Sequence, residues 1–150
     1  MKVFLGGTCN NSVWREKLIP MLECEYFNPV VEDWTPECMI EEIRQRNECE
    51  YCLYTITPSM TGVYSIAEAV DDSNKKPNRT IFCVLNADVS LGEVDKKYKL
   101  YQYPNGKTSF SIGEMKSLNQ VGAMIEKNGG KYFNTLEDVA IFLGVNSGMY

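Results

Sequence analysis

The chain has 150 residues and a formal net charge of −5, with 44% hydrophobic, 23% charged and 11% aromatic residues. That length suits a single domain with a real core, and the composition argues against disorder or a disulfide-stapled miniprotein. Histidine is absent, which removes the commonest general base and metal ligand, and the negative balance disfavours polymeric nucleic acid as a partner.

In chain order, Lys2–Leu5 reads as a first strand that runs into Gly6-Gly7-Thr8, a pair of glycines suited to a tight strand-to-helix turn. Cys9-Asn10-Asn11-Ser12 supplies cap-type residues for a helix over Val13–Ile19, stopped at Pro20 or soon after. Glu25-Tyr26-Phe27 is a short second strand ending at the turn signal Asn28-Pro29. After a loop, Thr35 before Pro36 marks a helix start, and residues 36–48 form an amphipathic helix carrying Cys38, Met39, Ile40 and Ile43.

Tyr51–Ile56 is a third strand, apolar enough to be central. A loop of small polar residues follows, and a helix then runs through Glu68 to about Ser73-Asn74, broken by Lys75-Lys76-Pro77-Asn78. Arg79–Leu85 is a fourth strand. The alternation of strands and helices with short connections predicts a doubly wound, mostly parallel α/β sheet with helices on both faces.

Residues 97–112 differ. Lys97–Tyr103 alternates with a period of two, Pro104-Asn105-Gly106-Lys107 carries an Asn-Gly turn, and Thr108–Ile112 returns, which predicts an inserted hairpin. A helix over 113–128 ends at Gly129-Gly130. Lys131-Tyr132-Phe133 is a short fifth strand, and Asn134 or Thr135 caps a last helix, Leu136–Leu143, with Gly144 at its end.

Six cysteines are scattered along the chain. Cys49-Glu50-Tyr51-Cys52 has CxxC spacing, but a zinc site needs a second pair, and a redox motif opens a helix whereas this one enters a strand. Free thiols are therefore expected, with no metal or cofactor. No apolar run approaches the ~18 residues of a membrane span, and the opening segment is too short for a signal peptide, so a cytoplasmic protein is expected.

In a doubly wound sheet the loops after strands 1, 2 and 3 open at one edge. They would bring Gly6, Gly7, Thr8, Asn28, Asp33, Trp34, Ser59, Thr61, Gly62, Ser65 and Glu68 toward one crevice. Two carboxylates in such a crevice suit glycosidic chemistry, with one attacking the anomeric carbon and the other protonating the leaving group. Trp34 can stack on a flat base. Each residue also has a plain structural explanation: Glu68 as a helix-start acid, Asp33 as a loop acceptor, Trp34 as core.

Phe4-Leu5-Gly6-Gly7-Thr8, then Phe27-Asn28-Pro29 with Asp33-Trp34, then Thr57-Pro58 followed by Gly62-Val63-Tyr64-Ser65-Ile66-Ala67-Glu68, together resemble the nucleoside 2-deoxyribosyltransferase-like family over residues 2–85. The resemblance implies a flavodoxin-like fold. It also implies cleavage of the N-glycosidic bond of 2'-deoxynucleosides or nucleotides, with transfer to another base or to water. Glu68 matches the nucleophilic glutamate, Asp33 the carboxylate near the base, and Gly6, Gly7 and Ser65 the loops lining the sugar site. The implied partner is a small nucleoside or nucleotide, in a homo-oligomer whose chain ends can complete neighbouring sites.

Classical transferases carry a tyrosine in the first strand, where Phe4 stands, and often an aspartate before the glutamate, where the loop is Thr57–Gly62. The alternative reading is a sensor or sequestering protein that binds a nucleotide or nucleotide-derived signal without cleaving it. A purely structural oligomer is a third.

Overall fold

Strands form where apolar and β-branched residues run between turn residues, and here those runs stack into one sheet. The computed structural model describes residues 1–9, 12–89 and 107–148. Five strands, β1 (Lys2–Gly7), β2 (Glu25–Phe27), β3 (Tyr51–Ile56), β4 (Thr80–Val84) and β5 (Lys131–Phe133), pair in the order β2-β1-β3-β4-β5, every pair parallel. This is the flavodoxin-like order, with ligand crevices outside the carboxyl ends of the strands.

The period-two alternation of strand side chains divides the core in two. On one face Val3, Leu5, Leu53 and Ile81 pack with Trp14 and Leu18 of helix α1 (Trp14–Leu18) and with Leu136, Val139 and Leu143 of the last helix, α5 (Leu136–Asn146). On the other, Phe4, Tyr54, Ile56 and Phe82 meet Ala69 of α3 (Tyr64–Lys75) and Leu118 and Ile125 of α4 (Ile112–Asn128).

Helix α2 (Pro36–Glu48) begins as its sequence predicts, with Thr35 Oγ1 accepting from the Cys38 amide and Pro36 in the first turn. It is amphipathic in an unexpected sense. Glu42, Gln45 and Arg46 turn toward the body of the protein, while Met39, Ile40 and Ile43 are exposed.

Two local expectations are corrected, and a third lies mostly outside the described residues. The cap of α1 is Val13, with no side-chain cap bond, because Ser12 Oγ is instead donated to Asp88 Oδ1 at 2.7 Å; Asn10 and Asn11 lie outside the described residues. Gly144 does not end the last helix, which continues through it to Asn146 and leaves the left-handed backbone to Gly148. Most of the predicted hairpin, its first strand Lys97–Tyr103 and the turn through Gly106, lies outside the described residues. Of its return segment, Ser109 makes one antiparallel bridge to Ala87, and Ser111 already caps α4 in a capping box with Glu114.

Candidate functional site

The register brings the ends of β1 and β3 level, with Gly7 opposite Thr55. The loops beyond them are knitted together: Thr8 N donates to Thr55 O at 2.8 Å, and Thr57 N donates to Thr8 Oγ1 at 3.0 Å. A Cβ on Gly7, whose φ is +114°, would collide with the Thr55 backbone, so glycine is required there by close packing of the strands and by the positive φ. At Gly6 a Cβ would meet the Tyr54 ring at 2.9 Å and the Phe4 ring at 3.0 Å.

Between these loops lies a pocket of about 220 Å³ lined by Gly7, Thr8, Thr61, Gly62, Tyr64 and Ser65 among others. It therefore gathers Gly7, Thr8, Thr61, Gly62 and Ser65 from the residues expected at the site. A wider groove of about 740 Å³ runs along α4 between Phe110 and Ala123 and shares no lining residue with the smaller pocket.

Other expected residues are placed differently. Asn28 Oδ1 accepts from Val30 N at 3.1 Å, the bond of an Asx turn. Asp33 and Trp34 lie in the exposed loop before α2, Trp34 with 61% of its surface open. Ser59 is fully buried, and its Oγ and N both donate to Asp88 Oδ2, at 2.5 and 3.2 Å. Asp88 thus ties the loops after β1, β3 and β4 through Ser12 and Ser59, a node spread over 76 positions that no local pattern announces.

Glu68 lies one helical turn beyond Tyr64 and Ser65, on their side of α3. Its side chain is only 17% exposed and faces α2, where Arg46 Nη1 stands 3.3 Å from Glu68 Oε2. Arg46 is itself clamped. Its Nη2 donates to Asp72 Oδ1 at 2.8 Å and its Nε to Asp72 Oδ2 at 3.2 Å and to Tyr54 Oη at 2.9 Å. The Tyr54 hydroxyl donates to Asp72 Oδ2 at 2.5 Å, and the Asp72 side chain is 3% exposed. Lys76 Nζ caps the Arg46 carbonyl at 2.7 Å.

The electrostatics follow from this packing. Burial pushes the Glu68 carboxyl above the ordinary glutamate value; Arg46 opposes the shift, while Glu42 and Asp72 add to it. For Arg46, burial opposes the charge, but the Asp72 bond and the surrounding negative groups outweigh it and raise the group further. Burial and nearby Cys52 and Asp72 raise the Tyr54 phenol, so it remains a proton donor. The carboxylates bearing on Glu68 are thus Glu42 and Asp72. No contact joins Glu68 to Asp33 among the described residues.

Phe4 is 2% exposed and stacks on Phe27 with ring centroids 5.9 Å apart, so β1 brings no hydroxyl to this region. Cys49 and Cys52 are buried free thiols, both raised by burial, Cys52 to about 12. Among the described residues no cluster of metal-ligating side chains occurs, and no helix is long and apolar enough to cross a membrane.

A family model described as nucleoside 2-deoxyribosyltransferase like matches residues 1–87, which include the pocket loops, Glu68 and Arg46. The chain matches no curated protein and no solved structure.

Proposed function

This chain belongs to the nucleoside 2-deoxyribosyltransferase-like family, and we propose that it cleaves the N-glycosidic bond of a 2'-deoxynucleoside or deoxynucleotide with Glu68 as nucleophile. The observation that carries this reading is the placement of Glu68: a largely buried carboxylate in a charged setting, one turn below a pocket at the carboxyl edge of a parallel sheet. A 2-deoxy sugar has no electron-withdrawing 2'-hydroxyl, so positive charge develops readily at its anomeric carbon. A carboxylate there stabilises that charge or traps it as an ester.

In the proposed mechanism Glu68 attacks C1', the C1'–N bond breaks, and the base leaves with the electron pair and takes a proton. Asp33, from the loop after β2, is the proposed acid, and Trp34 the stacking surface for the base. Gly6, Gly7, Thr8, Asn28, Ser59, Thr61, Gly62 and Ser65 shape or support the sugar pocket. A second base or water then captures the sugar. The exposed Met39, Ile40 and Ile43 of α2 support a homo-oligomer, since contiguous apolar surface favours association.

The test is intact-protein mass spectrometry after mixing with the common 2'-deoxynucleosides and their 5'-monophosphates, together with assay of released base. A deoxyribosyl adduct mapped to Glu68, with turnover lost in Glu68→Gln, is the expected result. Full turnover in Glu68→Gln overturns the reading. The second reading, binding without cleavage, is favoured by one observation: Glu68 is engaged by Arg46 in an ion pair. It predicts ligand recovered intact.

A further inference from the structure

The guanidinium beside Glu68 is held more firmly than a bridge between two helices requires. Asp72 takes Nε and Nη2 in a two-point contact, and Tyr54 Oη takes Nε as well. The Tyr54 hydroxyl closes the ring by donating to Asp72. A planar guanidinium gripped along one edge has the direction of its remaining nitrogen fixed. That nitrogen, Nη1, is the one that meets Glu68.

We propose that Arg46 is the positioning residue of the site: clamped by Asp72 and Tyr54, it aims the Glu68 carboxylate during attack and receives it back as the leaving group when the sugar ester breaks down. The inference rests on Glu68 being the nucleophile. When the C1'–Oε bond forms, Glu68 becomes a neutral ester and Arg46 loses a counter-charge. When water or an acceptor base attacks C1', the C1'–Oε bond breaks and its electron pair returns to Glu68. The proton of the attacking water or base passes to solvent. A fixed positive charge at Oε favours the carboxylate over the ester, so Arg46 shortens the life of the intermediate.

The same geometry sets which ionisation limits the reaction. Arg46 and Glu42 face Glu68 from α2, and Asp72 bears on it from α3. Of these, only Arg46 favours the ionised nucleophile. Weakening its contact moves the acid limb of the rate profile toward higher pH.

Arg46→Lys is the informative variant. One ammonium neutralises Asp72 but has no fork with which to reach Glu68 at the same time. With the 2'-deoxynucleosides and monophosphates above, the lysine variant is expected to show a larger adduct fraction by intact mass and sugar release slowed about tenfold or more. Its kcat/KM profile is expected to lose activity on the acid side first. Tyr54→Phe keeps the ion pairs but opens one side of the clamp; it gives the same two signatures at smaller size and decides the matter if the lysine variant does not fold. Wild-type adduct lifetime and pH profile in Arg46→Lys, with Glu68→Gln inactive, overturn the role of Arg46 and leave the nucleophile standing. Full turnover in Glu68→Gln overturns both. A purely structural role lowers the melting temperature of the variants without changing adduct lifetime.

Discussion

Two arginines on opposite faces of the sheet, Arg15 and Arg46, are held in opposite ways. Arg15 of α1 is 3% exposed and forms no ion pair with a carboxylate among the described residues. Its guanidinium donates to backbone carbonyls, with Nε and Nη2 on Leu5 O at 3.0 and 2.8 Å and Nη1 on Thr8 O at 2.7 Å, and it stacks 4.2 Å from the Trp14 ring. Burial lowers its pKa, with Cys9 acting in the other direction. Arg46, across the sheet, is surrounded by carboxylates. Carbonyl dipoles do not titrate, so Arg15 is a fixed staple for the end of β1 and the turn after it. Carboxylates do titrate and can become esters, so Arg46 is coupled to the chemical state of its neighbours.

The largest effect is expected from Arg15→Ala. It strips the Leu5 carbonyl of both guanidinium bonds and the Thr8 carbonyl of one, and opens a cavity against Trp14. A loss of about 3–5 kcal/mol in urea unfolding is expected, on the scale of charged hydrogen bonds and large-to-small core changes. The loss should be nearly constant between about pH 5 and 7, because the carbonyl partners do not titrate in that range. A strong pH dependence would break the contrast between the two arginines.

Asp72→Asn comes next. It leaves Arg46 without its main counter-charge, and about 2–3 kcal/mol of stability should be lost, less than for a fully buried pair because Arg46 is 23% exposed. Unlike Arg15→Ala, it should also change the pH profile of turnover, because the freed guanidinium no longer holds its orientation toward Glu68. Equal effects of the two substitutions on that profile would remove the distinction.

The smallest effect has the opposite sign. Glu68 has a folded-state pKa above its unfolded value, so the folded chain binds the extra proton between the two. The associated stability is present below the unfolded pKa and is lost as pH rises through the folded one. Glu68→Gln should therefore be more stable than the parent at neutral pH by about 0.5–1 kcal/mol, the usual size of a stability–activity exchange. The gain should shrink as pH falls into the ordinary glutamate range. Thermal melts at several pH values test this, and a gain that grows toward acid pH contradicts it.

Much of the fold was legible because its signals are local. β3 and β5 lie within their predicted bounds, and Thr35-Pro36 starts α2 where a capping hydroxyl followed by proline should. The pocket loops were legible for the same reason, since small residues after parallel strands converge at one edge. Which way α2 turns was not. Its pattern reports two faces but not which is covered, and Met39, Ile40 and Ile43 face outward because the inner side is occupied by the charges that meet α3.

By itself, then, the sequence determined most of the elements and a mostly parallel sheet, because apolar runs, caps and turn residues act over a few positions, and it carries the family match over residues 1–87. The tertiary structure alone decided the company Glu68 keeps. Arg46, Tyr54 and Asp72 come from a helix, a strand and a second helix, with Arg46 and Asp72 separated by 26 positions. They meet because the Tyr54 side chain of β3 reaches Arg46 of α2 and Asp72 of α3 at once. No periodicity encodes that meeting, since ion pairs across a sheet face depend on three-dimensional approach and on the exclusion of water around them.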